Sequence, residues 1–179
     1  MTWFFRITGL IFLLFAGVVG AGAFLPGVQT LEASAVSRAD PESVFDIVDD
    51  LSTHPRWSHA VPDIDGMAFG ETVGTDASAA WDAGGAVGSA TIVQSIPPEL
   101  VLVSVESGGD DVVLTYGFGE ESGGTLLFVK QEREWGGFPY LDRVAGALRR
   151  SGDVRALTES IDTLAALSEP LISPEETTP

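Results

Sequence analysis

The chain has only two histidines, His54 and His59, five residues apart in an irregular stretch around Trp57. An imidazole titrates near neutral pH, so either ring could serve as a general acid or base at the mouth of a cavity. The plainer reading is a solvent-exposed loop histidine. A metal site would recruit Asp63 or Asp65, but no His-x-x-x-His or cysteine pair accompanies them, and no metal is expected. The acidic pairs Asp49-Asp50, Asp110-Asp111 and Glu120-Glu121 sit at element ends, and neighbours on a strand point to opposite faces. They read as solvated turn residues rather than acid–base couples. There is no glycine-rich loop followed by Gly-Lys-Ser/Thr and no Gly-x-Ser-x-Gly elbow. No catalytic residue and no cofactor are therefore expected. What remains for binding is aromatic. Trp81, Tyr116, Phe118, Phe128 and Tyr140 are candidates to line an apolar cavity, and Trp57 either packs structurally or stacks on a ligand. Core filling is the alternative for all of them.

The elements that would position these side chains follow from periodicity. VQTLEASAVS alternates as a first strand, and Asp40-Pro41-Glu42 opens a helix, with Asp40 as N-cap and Pro41 in the first helical position. Strands are expected near 65–72, 76–83, 88–97, 99–107, 111–119 and 124–133, separated by Gly74, Gly84-Gly85, Pro97-Pro98, Gly108-Gly109 and Gly123-Gly124. Alternation puts Tyr116 and Phe118 on one face with Val112 and Leu114. Both faces of 99–107 are apolar, so the inward one is left open. After Trp135-Gly136-Gly137 the period becomes helical, with Leu141, Val144, Ala145 and Leu148 on one face, then Val154, Leu157, Ile161 and Leu164. Ser151-Gly152 could kink or split that helix. The acidic, proline-broken tail 169–179 is expected to be disordered.

From Ile7 to Leu31 there is no charged residue, and the run ends at Pro26-Gly27. About 20 apolar residues in a helix cross a bilayer. Residues 1–27 read as a retained transmembrane anchor, with a cleaved signal peptide ending near Ala23 as the alternative and a buried core helix as a third. Arg6 and the α-amino group ahead of the run keep the N-terminus cytoplasmic and send the remaining domain outside. Without Arg6, eight basic residues face 26 acidic ones, a balance of −18. Nucleic acid is excluded as a partner, since phosphate contacts need clustered cations. With no cysteine, disulfides are excluded too.

The stretch ADPESVFDIVDDLSTHPRWS resembles the opening of the SRPBCC superfamily, the START and Bet v1-like helix-grip proteins, and within it the bacterial polyketide cyclase/dehydrase branch. The matching residues are Ala39, Val44, Phe45, Asp50, Trp57 and Ser58. The hairpin with Trp81 and Gly88, the strand GGTLLFVKQE and the closing helix from PYLDRV resemble the same family, over about residues 29–168. The resemblance implies an α+β helix-grip fold for 28–168: a curved seven-stranded antiparallel sheet around a long C-terminal helix, with two small helices, here preceded by one transmembrane helix. It implies a site for a hydrophobic small molecule or lipid between helix and sheet. A cyclase- or dehydratase-like enzyme using Tyr116, Tyr140 and His59 is one alternative, and a protein-interaction module at the membrane surface is another.

Overall fold

The computed structural model of the chain describes residues 16–134 and 139–169. Strands β1 (Val28–Ser37), β2 (Ala68–Phe69), β3 (Ser78–Ala83), β4 (Ala86–Ile96), β5 (Leu100–Ser107), β6 (Asp110–Glu121) and β7 (Gly124–Glu134) form one antiparallel sheet in the order β1-β7-β6-β5-β4-β3-β2. Helix α1 (Pro41–Asp49), a 3-10 helix (Leu51–Arg56) and the long helix α2 (Pro139–Ser168) complete the α+β domain expected from the periodicity. Residues 16–24 are also helical. No helix among the described residues is long and apolar enough to cross a membrane, and the first fifteen residues of the expected anchor lie outside them. All but Glu169 of the expected tail lies outside them as well.

Local chemistry sets each boundary. Asp40 caps α1 by accepting the Ser43 N–H at 2.9 Å, and Pro41 occupies a first-turn position where its missing N–H costs nothing. The apolar side chains Val44, Phe45 and Val48 are then buried. Gly84-Gly85, Gly108-Gly109 and Gly123 turn the hairpins with positive φ, a region in which a Cβ is strained. The strand expected at 65–72 shrinks to Ala68–Phe69, because both residues are exposed and no buried face holds a longer pairing with β3. Helix α2 passes through Ser151-Gly152 unbroken; both are exposed, so the glycine weakens the helix without disturbing any packing.

One face of the sheet carries Leu31 on β1, Leu127 and Val129 on β7, Leu114 and Tyr116 on β6, Val101, Val103 and Val105 on β5, and Ala90 and Ile92 on β4. This settles the inward face of β5. The second half of α2 closes over it with Leu157, Ile161 and Leu164, all essentially without exposure. The first half of α2 covers less: Leu148, expected on its buried face, is 80% exposed. Hydroxyls fasten the far end, where Ser37 Oγ meets Ser168 Oγ at 2.7 Å and Thr125 Oγ1 donates to the Ala39 carbonyl at 2.7 Å.

Gly88 faces Trp81 across β3 and β4, and a methyl group there would overlap the indole and the Glu106 carbonyl. Gly119 on β6 has open space around the same position. Urea unfolding should show G88A destabilised by about 1–3 kcal/mol. G119A should be neutral or stabilising by up to about 1 kcal/mol.

Candidate functional site

Immediately after α1, the 3-10 helix folds back under the sheet as a plug. Asp50 caps it by accepting the Ser52 N–H at 3.0 Å, and Thr53 Oγ1 donates to the Ile47 carbonyl at 2.6 Å. His54 is fully buried, so it is not an exposed loop histidine. Its Nε2 donates to the Val48 carbonyl at 2.8 Å, which leaves Nδ1 unprotonated and without a partner. Trp57 donates through Nε1 to Thr53 Oγ1 at 3.1 Å, and its ring meets Tyr116 edge-to-face at 5.5 Å. Phe45 and Phe118 pack the same way at 5.8 Å. Burial pushes the Tyr116 phenol strongly up, opposed by a hydrogen bond with Ser58. Asp49, read from sequence as a solvated turn residue, is buried as well.

Past the plug the chain reaches a polar clasp. His59 Nδ1 lies 3.0 Å from Ser160 Oγ on α2, and Nε2 lies 3.1 Å from Gln131 Oε1 on β7. The His59 backbone N–H donates to the same Ser160 oxygen at 3.0 Å. An amide oxygen only accepts, so Nε2 carries the proton and the neutral ring accepts the Ser160 hydroxyl at Nδ1. In the imidazolium, Nδ1 donates instead and the hydroxyl turns to the Ala156 carbonyl, 2.9 Å away. Every partner is matched in both charge states. His59 is exposed at the surface, as expected of a loop histidine. Desolvation by its surroundings is nonetheless the largest influence on its pKa and lowers it; the Gln131 hydrogen bond and the Asp153 carboxylate oppose this, and the Arg133 guanidinium reinforces it. Arg133 and Asp153 add a second link between β7 and α2 at 3.8 Å. In the row Ser160–His59–Gln131 the third member is a neutral amide that orients the ring through its oxygen. What the clasp offers a guest is hydrogen bonding beside a guanidinium.

His59 divides two spaces of about 240 Å³ each. One is a recess against α2, bordered by Trp57, Glu159 and Thr163. The other lies within the sheet's concavity, lined by Ala60, Val105, Val112, Gln131 and Arg133, with Ser107 and Asp110 at its rim. That volume equals about eight waters. Register places its mouth: Ser107 pairs with Asp110, Asp111 with Glu134, and Glu134 with Val28. The mouth is thus at the end of the sheet where the chain enters from its apolar N-terminal run.

The six aromatic candidates separate. Trp57, Trp81, Tyr116 and Phe118 point inward; the first three are buried in the core, and Phe118 packs against it. Of these, Trp57 borders the recess against α2. Phe128 alternates to the outer face, where its ring covers Gly117 on β6. Tyr140 stands in the first turn of α2, with the Arg143 guanidinium 5.6 Å above its ring. Sequence reading passed over Gln131 and Ser160. Their signal was present: Gln131 continues the inward row Thr125, Leu127, Val129, and Ser160 interrupts the apolar stripe of α2. Among the described residues no cluster of His, Asp and Glu could hold a metal ion.

Protein CV1439 from Chromobacterium violaceum superposes with a TM-score of 0.56 at 20% identity, covering 79% of this chain and 97% of that one. The fold is Bet v1-like. Ara h 8.0201 matches with a TM-score of 0.52 at 16% identity, over 79% of this chain and 98% of its own. DynU16, a protein from the dynemicin biosynthetic locus, matches with a TM-score of 0.54 at 15% identity, over 76% of this chain and 46% of its own. Neither a family model nor a curated protein matches the sequence. At these identities the Bet v1-like likeness is one of fold.

Burial pulls the His54 pKa from 6.5 down to about 4, against smaller upward effects of the Val48 hydrogen bond and Asp50. Between those values the unfolded chain binds a proton that the folded chain refuses, so stability is present above pH 6.5 and falls as pH drops toward 4. The loss should be about 3 kcal/mol by pH 4. His54→Phe should be less stable at neutral pH yet show a shallower decline from pH 6.5 to 4 in urea titrations. An unchanged slope would contradict this account.

Proposed function

We propose that this chain is a membrane-tethered, extracytoplasmic domain that binds a hydrophobic small molecule or lipid in the concavity of the sheet, between His59 and strands β5, β6 and β7. The observation that carries this reading is the position of the cavity mouth at the end of the sheet where the apolar N-terminal run enters. Ser107, Asp110 and Arg133 ring the opening at the sheet end where β1 begins, two residues after Pro26. A domain held at the bilayer by an anchor in residues 1–27 presents that end to the lipid surface. A guest could then enter from the membrane with its apolar part against Val105 and Val112 and a polar end at His59, Gln131 and Arg133. Trp57 and Tyr116 pack edge-to-face within the core and do not line this cavity.

The Bet v1-like fold supports a binding role without choosing the guest. The small volume favours one end of an amphiphile, since drug-sized pockets run about 300–1,000 Å³. Orientation follows from Arg6, which keeps the N-terminus cytoplasmic, and places the acidic domain outside.

Native mass spectrometry of the full chain, released from its own membrane in mild detergent, should show a stoichiometric adduct in the small-lipid mass range. Val112→Trp, which fills the cavity, should lose most of that adduct while keeping the circular dichroism of the folded chain. A bare polypeptide mass before and after incubation with a lipid extract would contradict the proposal.

A further inference from the structure

A second groove, of about 380 Å³, lies outside the sheet's concavity, where the apolar segment meets the first half of α2. Its apolar wall is Leu25, Pro26, Val28 and Ala147, and its charged wall is Arg143 and Arg150. No carboxylate lines it, although acids outnumber bases 26 to 9 in this chain. Four of the eight cations beyond Arg6 (Arg143, Arg149, Arg150 and Arg155) fall on this stretch of α2. Arg143 and Arg150 are two turns apart and share a helix face with Ala147.

The groove is anchored to the chain's entry point. Arg143 Nη1 donates to the Leu25 carbonyl at 3.2 Å, while its Nε is buried without a hydrogen-bond partner. The helical segment 16–24 crosses the first turn of α2 so closely that a methyl group on Gly22 would overlap the Tyr140 carbonyl. The apolar segment therefore leaves the domain directly beside two guanidiniums. We infer that this groove clasps the headgroup of an anionic phospholipid, with the phosphate between Arg143 and Arg150 and the upper acyl chain along Leu25, Val28 and Ala147. Guanidinium matches phosphate in charge and in planar hydrogen-bond geometry. A free phosphate shares the headgroup's charge but gains nothing from the apolar wall, which is why the lipid is the occupant. The inference rests on the tethered reading, since only a chain held at the bilayer has such headgroups in reach. It also answers an electrostatic difficulty. A domain of net charge −18 is repelled by an anionic surface, and a cationic groove beside the apolar segment offsets that repulsion where the chain would meet the bilayer.

Calorimetric titration of the full chain in mild nonionic detergent with short-chain phosphatidylglycerol tests the inference. Phosphatidylglycerol should bind at least tenfold more tightly than the phosphatidylcholine of equal chain length and than inorganic phosphate. The double variant R143Q/R150Q should fall to the phosphatidylcholine level. R150Q alone, at an exposed side chain with no bond to Leu25, should weaken binding at least threefold with an unchanged unfolding midpoint. V112W should bind phosphatidylglycerol as the unaltered chain does, which separates this groove from the interior cavity. Equal affinity for the two lipids, full retention in R143Q/R150Q, or inorganic phosphate binding as tightly as phosphatidylglycerol would each overturn the inference. Loss in V112W instead of R143Q/R150Q would also overturn it and place the lipid in the interior cavity.

Discussion

The concave face of the sheet must be covered, and every other feature of the molecule follows from how that is done. The sheet sets about a dozen apolar side chains inward, from Leu31 on β1 to Ile92 on β4, and none can stay wet at acceptable cost. A single helix cannot cover so broad a surface. The second half of α2 covers one side with Leu157, Ile161 and Leu164, and α1 with its 3-10 extension fills the rest with Val44, Phe45, Val48 and Leu51. The burial of His54 is a consequence: the 3-10 turn must go under the sheet, and the ring goes with it as a neutral group. A buried neutral base of this kind should cost stability in acid.

Two elements covering one curved sheet leave a gap where neither reaches. That gap is the cavity between His59 and β5, β6 and β7, and the polar clasp spans its edge. His59, Ser160 and Gln131 join the loop to both layers; the His59–Ser160 bond can reverse its donor and acceptor while Gln131 accepts in both charge states. Because strands β1, β6 and β7 share one register, the gap opens at the end where the chain enters the domain. An opening at the chain-entry end is thus a geometric consequence of the strand order.

Much of this was legible in the sequence, and the rest was hidden for identifiable reasons. Periodicity and glycine punctuation located β1 and β3 to β7 within two residues, and Asp40-Pro41 located α1. Alternation grouped Val112, Leu114, Tyr116 and Phe118 correctly. It was silent for β5, where Leu100 and Leu102 on the outer face are as apolar as Val101 and Val103 within. Phe128 looked like a cavity residue by type alone; the alternation of Leu127 and Val129 sends it outward over Gly117. The helical face chosen through Leu148 failed because the first half of α2 lies near β1 and the apolar segment rather than over the sheet's centre. Gln131 and Ser160 escaped because each is a polar residue embedded in an apolar row, a pairing visible only once helix and strand are brought together.

The proposed hydrophobic guest sits against the inward valines at the end of the sheet where the chain enters. The most direct measurement is nuclear magnetic resonance of the full chain with ¹³C-methyl-labelled valine, saturated with a naphthalene sulfonate dye as probe. The account predicts intermolecular Overhauser contacts from the Val105 and Val112 methyls to the naphthalene ring, and none from Val36, Val87 or Val93, which are exposed on the opposite side. Contacts confined to those outer valines, with Val105 and Val112 silent, would contradict it.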